Sequence, residues 1–177
     1  MDCNPELIAA AQNNTAKLGF SDRFVLHTGE LADTRFLENL RMEASPVQLV
    51  MANPPWRLVG SGRLPATEAR RKALFGDKGT FPLFASAASS LLEEDGRFAC
   101  IISPDRLQDM LAALDGVGLT PYMVQYIHKQ KTSPATFVLI EARKGAHAKP
   151  SVAEPIALYG PERFFTLESL AFCPFLR

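Results

Sequence analysis

The residues best suited to chemistry form one short run, Asn53-Pro54-Pro55-Trp56. The two prolines lack a backbone N–H group and stiffen the chain, so the carbonyl groups of this run are free to accept hydrogen bonds. Asn53 adds a side-chain acceptor and two donors, and Trp56 offers a flat face on which a planar ring can stack. The combination suits a planar amino group such as the exocyclic amine of a nucleobase. The same residues are also compatible with a stiff turn followed by a core tryptophan.

Other familiar site motifs are missing from the sequence. We find no G-x-G-x-x-G, Walker, H-E-x-x-H or G-x-S-x-G pattern. The three histidines are too scattered to indicate a metal site, so we expect no metal. The three cysteines form no C-x-x-C pair, which predicts neither a zinc site nor a disulfide framework and favours a reducing cytoplasm. Cys3 and Cys100 are expected to be buried apolar fillers.

The alternation of helix-like and strand-like apolar patterns predicts an α/β fold with a doubly wound, mostly parallel sheet. We expect a strand at Val47–Ala52, so the Asn53 run would follow the carboxyl end of a parallel strand, where open sheets bind ligands. The other predicted strands are 23–27, 97–103 and an antiparallel hairpin of 122–128 with 135–142 at the sheet edge. Helices are predicted at 5–18, 31–42, 81–92 and 104–116, with a helical turn near 67–74 in a long loop. Residues 1–149 would form one domain, and residues 150–177 an irregular tail.

Composition and charge narrow the class of protein. The 177 residues are 47% apolar and 21% charged, with 19 basic and 19 acidic side chains, which excludes disordered and collagen-like chains. No apolar run approaches the ~20 residues of a membrane span. The charge is uneven, because residues 1–45 are acidic whereas 57–78 and 128–149 are basic. The basic residues that could bind nucleic-acid phosphates, or simply be solvated, are Arg63, Arg70, Arg71, Lys72, Lys129 and Lys131.

With these features the sequence resembles the class I S-adenosylmethionine-dependent methyltransferases, in which an Asn-Pro-Pro-aromatic loop follows the fourth strand. It is most similar to the bacterial adenine-N6 methyltransferases that modify valine tRNA. The segments that carry this likeness are 1–7, Gly29-Glu30, Gly62-Arg63, 69–71, 97–99, 104–107, 137–145 and 165–168. The resemblance implies S-adenosylmethionine as cofactor and tRNA as partner.

The resemblance also implies roles for individual residues. Asp2 would accept hydrogen bonds from the cofactor ribose, and Glu30 would lie near its adenine; a frayed terminal charge and a helix-terminal carboxylate are the simpler interpretations. Asn53, Pro54, Pro55 and Trp56 would form the catalytic loop, with Asn53 and the Pro54 carbonyl holding the target amine.

One part of the family pattern has no counterpart before Asp2, namely the first strand and its Gly-rich turn. The expected fold therefore lacks that strand, as in a chain that is truncated or starts at an internal methionine. Three other acceptors share the chemistry of a planar amine or amide: DNA adenine, guanine N2 and protein glutamine. A catalytically inactive remnant that binds RNA or a partner protein is the remaining alternative.

Overall fold

The computed structural model describes residues 1–44, 46–58, 60, 65–145 and 150–176. It divides into two compact units, Met1–Glu43 and Ala44–Arg177. No helix in these described ranges is long and apolar enough to cross a membrane.

The first unit is built around two helices, α1 (Pro5–Lys17) and α2 (Thr34–Ala44), with a 3-10 turn at Ser21–Arg23 between them. α1 begins as predicted, because the Asn4 side chain accepts a hydrogen bond of 2.9 Å from the Glu6 N–H. It ends before Gly19, whose φ of 72° favours glycine.

The predicted strand at 23–27 is wrong. Among the described residues, the pairing here is limited to one parallel bridge between Asp2 and Thr28, in which Asp2 N donates to the His27 carbonyl and Gly29 N donates to the Asp2 carbonyl, both at 3.2 Å. The chain enters α1 at Pro5, three residues after Asp2, so a longer ladder finds no partner there.

The second unit contains a mixed sheet. Its strands are β1 (Val47–Ala52), β4 (Leu92–Ile102), β5 (Leu119–Gln130), β6 (Ala135–Lys144), β7 (Ser151–Val152) and β8 (Ile156–Tyr159). The order is β1-β4-β6-β5-β7, with β8 also paired to β5. Of these strands only β6 runs against the others, which confirms the predicted α/β class and the antiparallel hairpin. Two short strands, β2 (Arg57–Leu58) and β3 (Phe75–Gly76), pair separately.

The helices of the second unit are α3 (Glu68–Leu74), α4 (Thr80–Leu91), α5 (Leu107–Asp115) and α6 (Leu167–Phe172). Single 3-10 turns occupy Pro104–Arg106 and Pro174–Leu176. The core lies where α4 and α5 cover one face of the sheet. Its fully buried side chains include Phe81, Met110 and Leu114 from the helices and Phe98 and Val138 from the strands.

Three further sequence-based expectations are wrong, two in the second unit and one in the first. The hairpin does not end the sheet, since β7 and β8 pair with β5 beyond it. For the same reason residues 150–177 are not irregular throughout, because Ile156 supplies a buried side chain and the segment goes on to form α6. Cys100 is buried as expected, but Cys3 is exposed.

Candidate functional site

The Asn53–Trp56 loop lies at the carboxyl edge of the sheet, as predicted. β1 ends at Ala52, which pairs with Cys100 on the parallel strand β4. Pro46 and Asn53 bound an apolar run too short for a helix, so the sequence forms a strand there. The loop therefore lies outside the carboxyl ends of the parallel strands, which is where open α/β sheets bind ligands.

Asn53 is the exposed member of this loop, whereas Pro54 is fully buried. Within the described part of the chain, no hydrogen bond reaches the Asn53 amide or the Pro54 carbonyl. The exposed Asn53 amide consequently offers one acceptor and two donors to a ligand, whereas the unpaired Pro54 carbonyl belongs to a buried residue.

Trp56 is half-buried and packs against the edge of the core. Its ring meets Phe137 in an edge-on contact, with centroids 6.4 Å apart and planes at 74°. The Arg57 guanidinium carbon lies 5.2 Å from the Trp56 ring centre. Trp56 is thus partly a core residue, as one interpretation of the sequence has it, and partly accessible, as stacking on a planar ring requires.

The pairing of β2 with β3 closes the long loop that follows Trp56. Gly76 sits so near the Pro55 carbonyl that an added Cβ would lie 2.6 Å from that oxygen. Only glycine permits this approach without displacing the backbone. Because α3 directly precedes β3 in the chain, this pairing also places α3 near the candidate site.

Arg106 is a site residue to which sequence reasoning assigned no role. Only 4% of its surface is exposed, and its Nη1 donates a 2.8 Å hydrogen bond to the Trp56 carbonyl. Phe137 and Arg57 were likewise not predicted to contact Trp56. Arg57 is the next residue in the chain, but Arg106 and Phe137 lie on a distant turn and strand, and a local sequence pattern cannot reveal those two contacts.

The predicted phosphate-binding residues occupy two places in the second unit. Arg70, Arg71 and Lys72 are exposed on α3. Lys129 and Lys131 are exposed where β5 ends, at the same sheet edge as the Asn53 loop because β5 runs parallel to β1. Arg63 lies outside the described residues.

Asp2 and Glu30 belong to the first unit and come from adjacent segments. Asp2 is half-buried, and its Oδ1 accepts a 2.8 Å hydrogen bond from the Asn4 N–H. Glu30 is exposed and follows Gly29, where a Cβ would overlap the Phe36 ring. The carboxylate that caps α2 is that of Asp33, which accepts hydrogen bonds from two backbone N–H groups. Glu30 is therefore not needed as the helix cap.

The described residues include no cluster of side chains that could hold a metal ion. Among the thiols, burial raises the pKa of Cys100 to about 12. Because the thiolate is the nucleophilic form, Cys100 is unsuited to covalent chemistry.

No family model matches the chain. A curated relative, the tRNA1(Val) (adenine(37)-N6)-methyltransferase of Porphyromonas gingivalis, is 32% identical over 112 residues. The match covers 62% of this chain and 42% of the relative, so the chain spans less than half of the relative's length.

Solved structures extend the comparison to the fold. A predicted O-methyltransferase from Agrobacterium tumefaciens aligns with a TM-score of 0.70 over 98% of this chain and 73% of its own, at 19% identity. A putative rRNA methylase from Clostridium thermocellum aligns with a TM-score of 0.50 over 80% of this chain and 72% of its own, at 21% identity. The chain therefore has the class I S-adenosylmethionine-dependent methyltransferase fold, with distant sequence similarity to a tRNA adenine-N6 methyltransferase.

Proposed function

We propose that this chain supplies the acceptor-binding part of an S-adenosylmethionine-dependent methyltransferase that modifies adenine N6 in tRNA. The observation that carries the proposal is the exposed Asn53 amide on a loop held at the carboxyl edge of the sheet. The distant similarity to the tRNA-modifying enzyme supports the same acceptor.

The loop suits an aromatic amine because two acceptors lie in neighbouring residues. The Asn53 side-chain oxygen accepts one N–H group, and the Pro54 carbonyl, which is buried in this structure, accepts the other when the base enters. The nitrogen lone pair is then directed away from both acceptors. The accessible part of Trp56 stacks on the base, an interaction worth about 1–3 kcal/mol in single-strand recognition.

Bound S-adenosylmethionine would supply a methyl group on positively charged sulfur. The nitrogen–carbon bond would form as the sulfur–carbon bond broke, and the amine proton would pass to solvent. The protein's contribution is orientation, which can lower a barrier by roughly 7–11 kcal/mol.

Asp2 and Glu30 have the chemistry expected of cofactor-binding residues. Asp2 Oδ1 accepts a hydrogen bond from the Asn4 N–H, whereas Asp2 Oδ2 has no hydrogen-bond partner among the described residues and can accept one from a ribose hydroxyl. The exposed Glu30 carboxylate can accept a hydrogen bond from an adenine amine. These donor and acceptor types fit an adenosyl group.

RNA is the partner that the exposed basic residues favour. Arg70, Arg71 and Lys72 follow the Asn53–Trp56 loop, and Lys129 and Lys131 lie along the same sheet edge. Their charges can bind the phosphates of an RNA whose base is held at Trp56.

The test is methyl transfer to tRNA transcripts, with modified nucleosides identified by mass spectrometry. Asn53→Ala is expected to lower kcat by about 100-fold through misplacement of the amine, with RNA affinity nearly unchanged. Asn39→Ala, which removes an exposed amide from α2, is the matched control.

Equal turnover of Asn53→Ala and wild type would contradict the role of Asn53. If the chain methylated DNA adenine, guanine N2 or protein glutamine and not tRNA, the proposed acceptor would be wrong. RNA binding without any methyl transfer or S-adenosylhomocysteine binding would indicate a catalytically inactive remnant.

A further inference from the structure

Arg106 connects the Asn53–Trp56 loop to the body of the second unit. Its Nη1 donates to the Trp56 carbonyl at 2.8 Å, and its Nε donates to Asp109 Oδ2 at 2.7 Å. Its guanidinium carbon lies 4.5 Å from the centre of the Phe81 ring. Three elements therefore meet at one guanidinium: the loop after β1, helix α5 and helix α4.

These contacts matter energetically because the Arg106 side chain is buried. A charged group with 4% exposure loses nearly all its hydration and needs hydrogen-bond partners in the protein. The Asp109 side chain is 61% exposed, so its attraction is screened by solvent and contributes little. The bond to the Trp56 carbonyl is a charge-assisted hydrogen bond from a buried donor, which places the stronger constraint on the loop.

The loop is held at both ends by one continuous segment. Ala52, which precedes the loop, pairs with Cys100 on β4, and Trp56, which ends it, accepts from Arg106 six residues after Cys100. Between these anchors, Pro54 and Pro55 have fixed φ angles. Few backbone torsions remain free once both ends are held, so the orientation of Asn53 depends on the position of the Trp56 carbonyl.

We propose that Arg106 is a positioning residue that fixes the Trp56 end of the acceptor loop and thereby the orientation of Asn53 and the Pro54 carbonyl toward the target amine. The expected effect on methyl transfer rests on the proposed function. The anchoring of the loop by Arg106 can be tested without measuring activity. Trp56 is the single tryptophan of the chain, so tryptophan fluorescence, excited selectively over the three tyrosines, reports on this loop alone.

The experiment compares Arg106→Lys, Arg106→Met and Asp109→Ala in the full chain. Acrylamide quenching of Trp56 is measured in the native state, followed by kcat and KM for methyl transfer to tRNA. Both Arg106 variants should increase quenching and lower kcat by roughly 100-fold with little change in the KM for RNA, as expected for a misplaced reacting group. Asp109→Ala keeps the Trp56 contact and should retain wild-type quenching.

Arg106→Lys keeps the charge, so it remains informative if Arg106→Met does not fold. A folded Arg106→Lys with wild-type quenching and wild-type kcat would overturn the proposal, even if its thermal stability fell. If the wild type transfers no methyl group, the proposed function fails, and quenching alone then decides whether Arg106 holds the loop.

Discussion

Trp56 reaches across the sheet to contact Phe137, with ring centroids 6.4 Å apart. Trp56 follows β1, whereas Phe137 lies on β6, and β4 separates these two strands. The edge-on arrangement is one that aromatic rings favour. The candidate site is thus connected both to the turn after β4, through Arg106, and to the strand beyond it.

Phe137→Leu should remove this aromatic contact while keeping most of the apolar volume. We expect the free energy of unfolding to fall by about 0.5–1.5 kcal/mol, the usual worth of an aromatic pair beyond its buried area. The native Trp56 emission should also change. Urea unfolding and fluorescence spectra provide the two measurements.

The matched control is Phe165→Leu, because Phe165 stacks on Tyr159 with ring centroids 5.0 Å apart and, within the described ranges, has no ring contact with Trp56. It should lose similar stability and keep the wild-type emission spectrum. If Phe137→Leu left both stability and emission unchanged, the contact would be energetically unimportant.

The exposed basic side chains of α3 should contribute to RNA binding through phosphate contacts. Replacing Arg70, Arg71 and Lys72 together by Gln is expected to weaken binding to different RNA sequences by a similar factor. The slope of log Kd against log salt should decrease by about 1 for each phosphate that the variant no longer binds. Fluorescence anisotropy with labelled tRNA at several salt concentrations measures both effects.

The triple variant Lys17→Gln, Arg35→Gln and Arg41→Gln is the control, because these exposed residues of α1 and α2 give the same change in net charge. A purely general effect of net charge would alter binding equally in both triple variants. That result would remove α3 from the proposed RNA surface.

Elements with a local sequence pattern were predictable, whereas elements that depend on a distant partner were not. Val47–Ala52 was predicted with correct bounds because a short apolar run is bounded there by Pro46 and Asn53. The segment 23–27 has a similar apolar character, but the bridge that forms nearby joins Asp2 to Thr28 just beyond it, so no strand forms. β7 has only two residues, and it is a strand because those residues pair with β5.

The candidate site was likewise predicted only where its chemistry is local. Asn53 and its prolines are contiguous, so their donors and acceptors could be deduced from the sequence. Arg106 is 50 residues from Trp56, and an arginine after a Pro-Asp pair resembles an ordinary surface residue until the fold buries it.

Lys144 should stabilise the end of α4. Its Nζ donates two 2.8 Å hydrogen bonds, to the carbonyl groups of Ser89 and Leu92, where the helix leaves acceptors unpaired. Lys144→Met keeps most of the apolar stem and removes the donor. We expect a loss of about 1.5–3 kcal/mol in the free energy of unfolding, as for hydrogen bonds to a charged group.

Chemical denaturation of Lys144→Met and of the control Lys78→Met tests this expectation. Lys78 is exposed and makes no hydrogen bond or ion pair within the described ranges, so its replacement should change stability little. Equal stabilities of the two variants would show that the Lys144 hydrogen bonds contribute nothing.

Cys100 should remain unreactive in the folded protein. Burial in the core raises the pKa of its thiol to about 12 by disfavouring the charged thiolate. At pH 8, iodoacetamide should modify the exposed Cys3 and leave Cys100 unmodified, whereas both should react in urea. Peptide mass spectrometry locates the modified thiols, and reaction of native Cys100 at the rate of Cys3 would contradict its burial.

The same shift predicts the direction of a pH effect on stability. Because the folded pKa of Cys100 lies above its ordinary value of 9.0, neither state is ionised below pH 9 and the contribution is fully present there. Between pH 9 and about pH 12 the unfolded chain loses this proton and the folded chain retains it, so stability falls. Cys100→Ala should therefore lose less stability than wild type between pH 8 and pH 11 in urea titrations. Parallel losses in the two proteins would show that other groups cause the alkaline destabilisation.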